Sequence, residues 1–426
     1  MPRFLKFCLL ILSLVSITLL ISGCDSQDKT QGNAQSVAQE VILQQIDAAR
    51  VPYLFKDTEG EVWLSYVIQA NTTSTLWLRH WQNSNWSEPQ EVASGDDWFV
   101  NWADFPSVVK NKDRLMAHWL QKNGEGTYAY GVQYAVKELG GEWQNMGPLH
   151  TDNSPTEHGF VSLQPDQDRI HAIWLDGRNM LAGHGHAAPD SKLDEESHQE
   201  KPQGMSLRYA TLDAENKITQ RIELDELTCD CCQTSTAMSE NGLVIAYRDR
   251  EILTSDSEIR DIKVLRQLGN TWVASSALAT DQWDLKACPV NGPDLAANKA
   301  QLALAWFTAA NNQSAVKIAF SNNNGESFLP PYVVATKGSL GRVGVDWLNQ
   351  EQAVISWIGQ YQGQSHFLFR VIARDGSMEA IKSVSQIDMS RASGVPQFKV
   401  LDNKRILFVW TESGDSPSIQ SKVVNW

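Results

Sequence analysis

A six-residue apolar run recurs seven times along this chain, and its spacing leaves few folds open. The copies are Val62-Trp63-Leu64-Ser65-Tyr66-Val67, Leu115-Met116-Ala117-His118-Trp119-Leu120, Ile170-His171-Ala172-Ile173-Trp174-Leu175 and Leu243-Val244-Ile245-Ala246-Tyr247-Arg248. They continue with Leu302-Ala303-Leu304-Ala305-Trp306-Phe307, Ala353-Val354-Ile355-Ser356-Trp357-Ile358 and Ile406-Leu407-Phe408-Val409-Trp410-Thr411. Their aromatics, Tyr66, Trp119, Trp174, Tyr247, Trp306, Trp357 and Trp410, stand 53, 55, 73, 59, 51 and 53 residues apart. Each run is too short for a helix and rich in branched and aromatic residues, so it reads as a strand buried on both faces. A buried strand returning about every 50 residues signals a β-propeller. The alternative is a β-sandwich with coincidental spacing, which seven occurrences argue against.

Inner strands are expected just before these runs, near Tyr53–Phe55, Pro106–Val109, Phe160–Leu163, Thr234–Met238, Pro293–Ala297, Val343–Trp347 and Val395–Val400. The last repeat reaches Trp426 after three strands, so 41–46 is expected to supply its outer strand. Closing the ring in this way removes exposed sheet edges. The expected fold is therefore all-β, a single propeller over 38–426 with seven blades, six being the alternative. The 73-residue interval holds a polar insertion, 180–204, with His184, His186 and His198. A loop that long in a compact domain is usually functional or disordered.

The chain begins with Arg3 and Lys6, an apolar stretch from Phe7 to Ile21, and Ser22-Gly23-Cys24, which together read as a secretory signal over 1–23. Leu20-Ile21-Ser22-Gly23-Cys24 resembles a bacterial lipobox. That resemblance implies cleavage before Cys24, lipidation of its sulfur and attachment to the cell-envelope membrane, facing the periplasm. Residues 24–37 read as a polar tether. The net charge of −14 becomes −16 once Arg3 and Lys6 are removed, which argues against nucleic acid as a partner. The mature protein is expected to be a monomer.

In a propeller, the segments before inner strands and after second strands emerge on one face. Here those segments carry Trp102, Asp104, Glu157, His158, Cys229, Cys231, Cys232, Cys288, Asn291 and Arg342, together with Asp176, Arg178, Arg248, Asp249 and Arg250. Scaffold positions need no such mixture, so this face is the candidate site.

The stretches Gly95–Ser107, Thr156–Leu163, Trp174–Arg178, Cys229–Cys232, Tyr247–Arg250, Arg260–Ile262 and Ala287–Pro293 resemble a bacterial sialidase-like family with BNR (Asp-box) repeats. Ser321-Asn322-Asn323-Asn324-Gly325-Glu326-Ser327-Phe328 resembles its Asp-box turn, with Asn323 for Asp and Phe328 for Trp. The resemblance implies a sialidase-like propeller that binds, or also hydrolyses, an acidic glycan. Arg50-Val51-Pro52 partly matches the family's Arg-Ile-Pro motif. Arg178, Arg248, Arg250 and Arg342 would complete an arginine cluster able to fork onto a carboxylate. Asp104 or Glu157 would act as acid, while Trp102, His158, Asp176, Asp249 and Asn291 would contact ligand. A Tyr–Glu nucleophile pair is not assignable from sequence. The competing reading is that the Arg–Asp pairs staple neighbouring blades.

With Cys24 lipidated, Cys229, Cys231, Cys232 and Cys288 remain. Outside the cytoplasm they suggest disulfides, and crowding directs at least one of the first three to Cys288. Thiolates also select soft metals, so a metal or thiol-redox site is a third possibility, although no cofactor is required. A glycan hydrolase, a non-catalytic protein-binding scaffold and a redox or metal site therefore compete for the same face.

Overall fold

The repeated runs become the second strands of seven antiparallel sheets. A computed structural model describes residues 43–180, 203–255, 257–276 and 278–426. The signal segment, Cys24, the tether and the insertion residues 181–202 with His184, His186 and His198 lie outside the described residues.

The inner and second strands pair as Ala49–Lys56 with Val62–Ala70, Ser107–Asn111 with Arg114–Lys122, His158–Asp166 with Arg169–Asp176, and Ser235–Ser239 with Gly242–Arg248. Asp294–Asn298 then pairs with Gln301–Thr308, Ser339–Trp347 with Gln352–Tyr361, and Gln397–Asp402 with Arg405–Glu412. Two further strands complete each blade except the first, which adds three, Thr73–Gln82, Asn85–Trp86 and Gln90–Gly95. In blade 7 the outer strand is Leu43–Asp47, which pairs with Ser418–Asn425 in the register Ile46 to Ile419. The ring is thus closed by the segment expected from the short last repeat. A small hairpin, Glu251–Thr254 with Ser257–Ile259, projects between the second and third strands of blade 4.

Both faces of each blade are buried. Seven apolar clusters run around the ring, each shared by two neighbouring blades. The cluster between blades 7 and 1 joins Ile46, Leu407 and Ile419 to Leu54, Leu64 and Tyr66. Trp174, Trp306 and Trp357 are among the largest fully buried side chains. This explains the run at its source: a strand covered on both sides cannot alternate polar and apolar residues. At the 321–328 turn, Asn323 Oδ1 accepts the Ser327 amide, Gly325 takes φ of 75°, and Phe328 is buried between blades 4 and 5.

Polar links also cross between blades. Asp294 accepts from the Ser235 hydroxyl on one side and the Val345 amide on the other. Asp346 accepts the Val400 amide, and Lys56 donates to the Val400 carbonyl. Lys110 of blade 2 is buried among Asp57, Glu59 and Glu61 of blade 1, at 2.9, 2.8 and 2.8 Å.

Removing the chain through Asp47 strips Ile46 from its cluster and leaves Ser418–Asn425 as an open edge. Burial of an isoleucine alone is worth about 1.5–3 kcal/mol. The truncated protein is expected to melt roughly 5 °C or more below the full chain by calorimetry. An unchanged melting temperature would contradict closure by this strand.

Candidate functional site

The seven inner strands line a central channel of about 460 Å³. At its mouth lies a larger cavity, about 1370 Å³, which shares Ala103, Asp104 and Phe160 with the channel. Its wall is built by the lead-ins to several blades: Asn101–Asp104, Pro155–Glu157, Asp230 and Cys231, Cys288 and Val290, and Arg391. The loop after the second strand of blade 2, Glu125–Tyr130, adds Tyr128, which is 60% exposed. Of the residues singled out in the sequence, Trp102, Asp104, Glu157, Cys231 and Cys288 line this cavity, and Arg342 lines the channel.

The mouth is held by oxygen atoms that reach from one blade's lead-in to the next blade. Asp104 Oδ1 accepts the Phe160 amide at 2.7 Å, and Asn291 Oδ1 accepts the Arg342 amide at 2.7 Å. Both amides belong to bulged inner strands in which Phe160 and Arg342 take φ of 54°. The approach leaves no room for a side chain. A Cβ on Gly159 would stand 1.9 Å from Asp104, and one on Gly341 would stand 2.0 Å from Asn291.

Asp104 also meets Tyr130. The Tyr130 hydroxyl lies 3.0 Å from Asp104 Oδ2 and 2.6 Å from Glu157 Oε1. Phe99 stacks on the Tyr130 ring at 4.1 Å, and the Tyr130 amide donates to the Thr156 carbonyl, which fixes its place beside Glu157. A hydroxyl has one hydrogen. It can donate to one carboxylate, and its other contact then requires a hydrogen on the second carboxyl. Burial pushes the Glu157 carboxyl up to about 8, with the Asp104 and Asp230 charges adding to the rise and the Tyr130 bond opposing it. Burial likewise pushes Asp104 up to about 7, against the bonds from Phe160 and Tyr130. The pair therefore holds a proton at neutral pH.

The arginine cluster expected from the sequence is not assembled. Arg248 is 2% exposed, and its guanidinium donates to three backbone carbonyls, Asn291 at 2.9 Å, Arg260 at 2.5 Å and Phe307 at 2.7 Å. It staples blade 4 to blade 5. Arg178 is forked onto Asp176 at 2.6 and 2.8 Å. Arg250 is forked onto Glu258 at 3.0 and 3.0 Å and reaches Asp230 at 3.3 Å. Arg342 lies over the Trp102 ring at 4.6 Å and donates to Ser393 and to the carbonyls of Gly394 and Ser390. For Arg50, Nε is buried without a partner among the described residues, and the residue lines neither the channel nor the cavity.

Several expected ligand contacts are likewise structural. Asp176 is fully buried, accepts from Trp174 and Arg178, and is held down at about 2: burial opposes this, and the bonds from Arg178 and Trp174 and the charge of His158 outweigh it. His158 is fully buried and ties the carbonyls of Thr156 and Tyr130 to Asp152. Asp249 pairs with Lys263 at 3.3 Å. Asn291 is the clamp described above.

Cys231 and Cys288 form a disulfide with Cα atoms 6.1 Å apart, the bridge to Cys288 that crowding requires. Cys229 and Cys232 are buried free thiols, so neither two disulfides nor a four-thiolate metal site is formed.

Tyr130, Tyr128 and Arg391 were not singled out in the sequence. The signal was present: Tyr128 and Tyr130 follow the second strand of blade 2, and Arg391 precedes the inner strand of blade 7, so all three fall under the rule that gathered the other candidates.

The fold and mouth define a seven-bladed β-propeller with a cavity over its channel. No protein-family profile matches the sequence, and comparison with curated proteins finds no match. Solved structures of similar shape include the Hadza microbial sialidase Hz136, 13% identical with a TM-score of 0.45 over 85% of this chain and 76% of the sialidase. Another is the GH93 α-L-arabinofuranosidase of Fusarium graminearum with arabinobiose, 8% identical with a TM-score of 0.48 over 89% of this chain and 93% of that one. Polysaccharide lyase Uly1 is 10% identical with a TM-score of 0.48 over 89% of each chain. Likenesses this distant carry no argument about activity; the propeller class rests on the seven sheets and their shared cores.

The raised carboxyls predict a pH dependence. A carboxyl whose folded value lies above its unfolded value favours folding when protonated. That contribution is complete below about pH 4 and is lost as pH rises through about 7 for Asp104 and about 8 for Glu157. Glu157→Gln is expected to gain stability relative to the wild type as pH rises from 5 to 9, read as the difference in melting temperature. A difference independent of pH would show that Glu157 titrates normally.

Proposed function

We propose that the protein binds an acidic glycan in the mouth cavity and that Glu157 donates a proton to the glycosidic oxygen. The observation that carries this reading is the Tyr130 hydroxyl set between Glu157 and Asp104 on the cavity wall. A carboxyl that keeps its proton near neutral pH is what a general acid needs. After transfer, the Tyr130 hydroxyl at 2.6 Å stabilises the new Glu157 carboxylate. Asp104 is occupied by the Phe160 amide and acts by raising Glu157, so it is a positioning residue.

The cavity supplies aromatic surface from Phe99, Trp102 and Tyr128 with polar groups between, the composition of a small-ligand site. Exposed Arg391 on the same wall provides one cation for an acidic substituent. Among the described residues recognition rests on this charge, since Arg178 and Arg250 are committed to carboxylates, and Arg248 and Arg342 to backbone carbonyls.

The test is a panel of acidic and neutral oligosaccharides, assayed for binding by calorimetry and for release of reducing ends. Glu157→Gln is expected to bind as the wild type does and to lose turnover by about 10²–10⁴-fold. Arg391→Ala is expected to weaken binding of acidic members only. A wild type that neither binds nor cleaves any of them would overturn the reading.

We further propose that the propeller is held at the envelope membrane by lipid on Cys24, on the strength of the Leu20–Cys24 motif and the polar stretch after it. Cys24→Ala is expected to move the protein from the membrane to the soluble fraction on cell fractionation. Retention in the membrane would remove the anchor from the account.

A further inference from the structure

The glycan reading leaves the cysteines unused, and their chemistry is independent of it. Cys231 and Cys288 stand on the cavity wall, joined to each other. Behind them Cys229 and Cys232 are 0% and 2% exposed. The sulfur atoms of Cys229, Cys231 and Cys232 all lie within 4.8 Å of one another. A closed disulfide thus has two buried thiols at its back.

The surroundings of Cys229 are cationic. Arg260 is 3% exposed, and only one of its nitrogens is satisfied, Nη2 on Glu258 at 2.8 Å; Nε and Nη1 have no hydrogen-bond partner among the described residues. Donors left buried in this way are destabilising unless an anion faces them. Burial pushes the Cys229 thiol up, but the Cys232 hydrogen bond and the Arg260 and Arg248 charges outweigh it and bring the thiol to about 7. Cys232 is pushed well up by burial and by Cys229. One sulfur of the pair is therefore suited to attack, and the other to wait as a thiol.

We propose that the four cysteines form a thiol–disulfide exchange relay, in which the buried Cys229/Cys232 dithiol reduces the cavity-lining Cys231–Cys288 disulfide and the thiols so exposed reduce small disulfides entering the cavity. The Cys229 thiolate attacks Cys231 Sγ; a Cys229–Cys231 bond forms, and Cys288 leaves as thiolate. Cys232, giving up its proton, attacks Cys229 Sγ; a Cys229–Cys232 bond forms, and Cys231 leaves. Two electrons have passed from the buried pair to the wall pair, and the thiol protons follow them. In the cavity, the Cys288 thiolate attacks the substrate disulfide, one half of which leaves as a thiol. Cys231 then displaces the other half, which restores the Cys231–Cys288 bond. The net change is one substrate disulfide reduced and one Cys229–Cys232 disulfide formed, with no further reactant. The vicinal Cys231–Cys232 bond, which would strain the peptide between them, is never needed.

The test uses the mature chain with the Cys231–Cys288 disulfide in place, purified without air and incubated with oxidised glutathione. Acid quenching, alkylation and mass spectrometry map the bridges over time. In the wild type, reduced glutathione and a Cys229–Cys232 bridge are expected to appear together, with Cys231–Cys288 intact at the end. Cys229→Ser is expected to slow glutathione reduction at least about tenfold. Cys232→Ser is expected to stop with Cys288 open to alkylation or joined to glutathione. The wild-type measurement stands by itself if a variant fails to fold. Free alkylation of Cys229 and Cys232 after incubation, with Cys231–Cys288 as the only bridge, would overturn the relay. So would a stoichiometric zinc or copper ion held by these thiols in the purified protein.

Discussion

No blade of this protein has a core of its own. Each is one sheet with apolar residues on both faces, and each face is buried only because another blade lies against it. The seven clusters form a closed series, so removing one sheet would open two of them. The first strand carries a particular responsibility in this arrangement. Leu43–Asp47 belongs to blade 7 by pairing and supplies Ile46 to the cluster shared with blade 1, so the start of the propeller is a structural part of its end. Cooperativity follows from connectivity: the blades stand or melt together because their stabilising area lies between them.

The same constraint produces the site. Apolar packing fills the spaces between sheets, while the loops at the channel mouth must satisfy their backbone groups by other means. They do so with side-chain oxygens from neighbouring blades, Asp104 on the Phe160 amide and Asn291 on the Arg342 amide, with Gln233 reaching the Gly292 amide. These clamps fix the lead-ins to within van der Waals contact, which is why glycine stands at 159, 292 and 341. Asp104 links scaffold to chemistry. One oxygen holds blade 3 and the other faces Tyr130, so the proton shared with Glu157 is positioned by the contact that closes the mouth.

Much of this architecture was legible in the sequence because two-sided burial writes a pattern. Every second strand had to be apolar throughout, and the intervals between their aromatics gave the blade count. Topology then said which face would collect Trp102, Asp104, Glu157, Cys231 and Cys288. The fates of the arginines were not legible, because nothing in a local sequence says where a long side chain ends. Arg248 and Arg391 look alike as letters; one is spent on three carbonyls, and the other lies exposed beside the cavity. Asp176 and His158 misled for the same reason. They carry reactive side chains, yet their partners, Trp174, Arg178 and Asp152, leave them holding the blade 3 loops together. Tyr130 escaped attention because its significance is wholly relational: it gains a role only when Glu157, twenty-seven residues on, lies 2.6 Å from its hydroxyl.

Burial acts in opposite directions on the two sides of the mouth, and the neighbours decide the result. Around Glu157 the nearby charges are the Asp104 and Asp230 carboxylates, so desolvation and repulsion agree, while at Asp104 burial outweighs the bonds from Phe160 and Tyr130, and a proton stays. Around Cys229 the nearby charges are Arg260 and Arg248, so attraction outweighs desolvation and favours the thiolate. One cavity thus sets a proton-bearing acid on the wall from blades 2 and 3 against a thiol of lowered pKa behind the wall from blade 4. The separation depends on Arg248 and Arg250. By binding backbone carbonyls, Glu258 and Asp230, they hold positive charge on the blade 4 side and away from the carboxyl pair. Had the arginines gathered in the cavity, as the sequence suggested, they would have ionised Glu157 and removed the acid. Their retreat into the scaffold is therefore a condition of the chemistry proposed for the mouth.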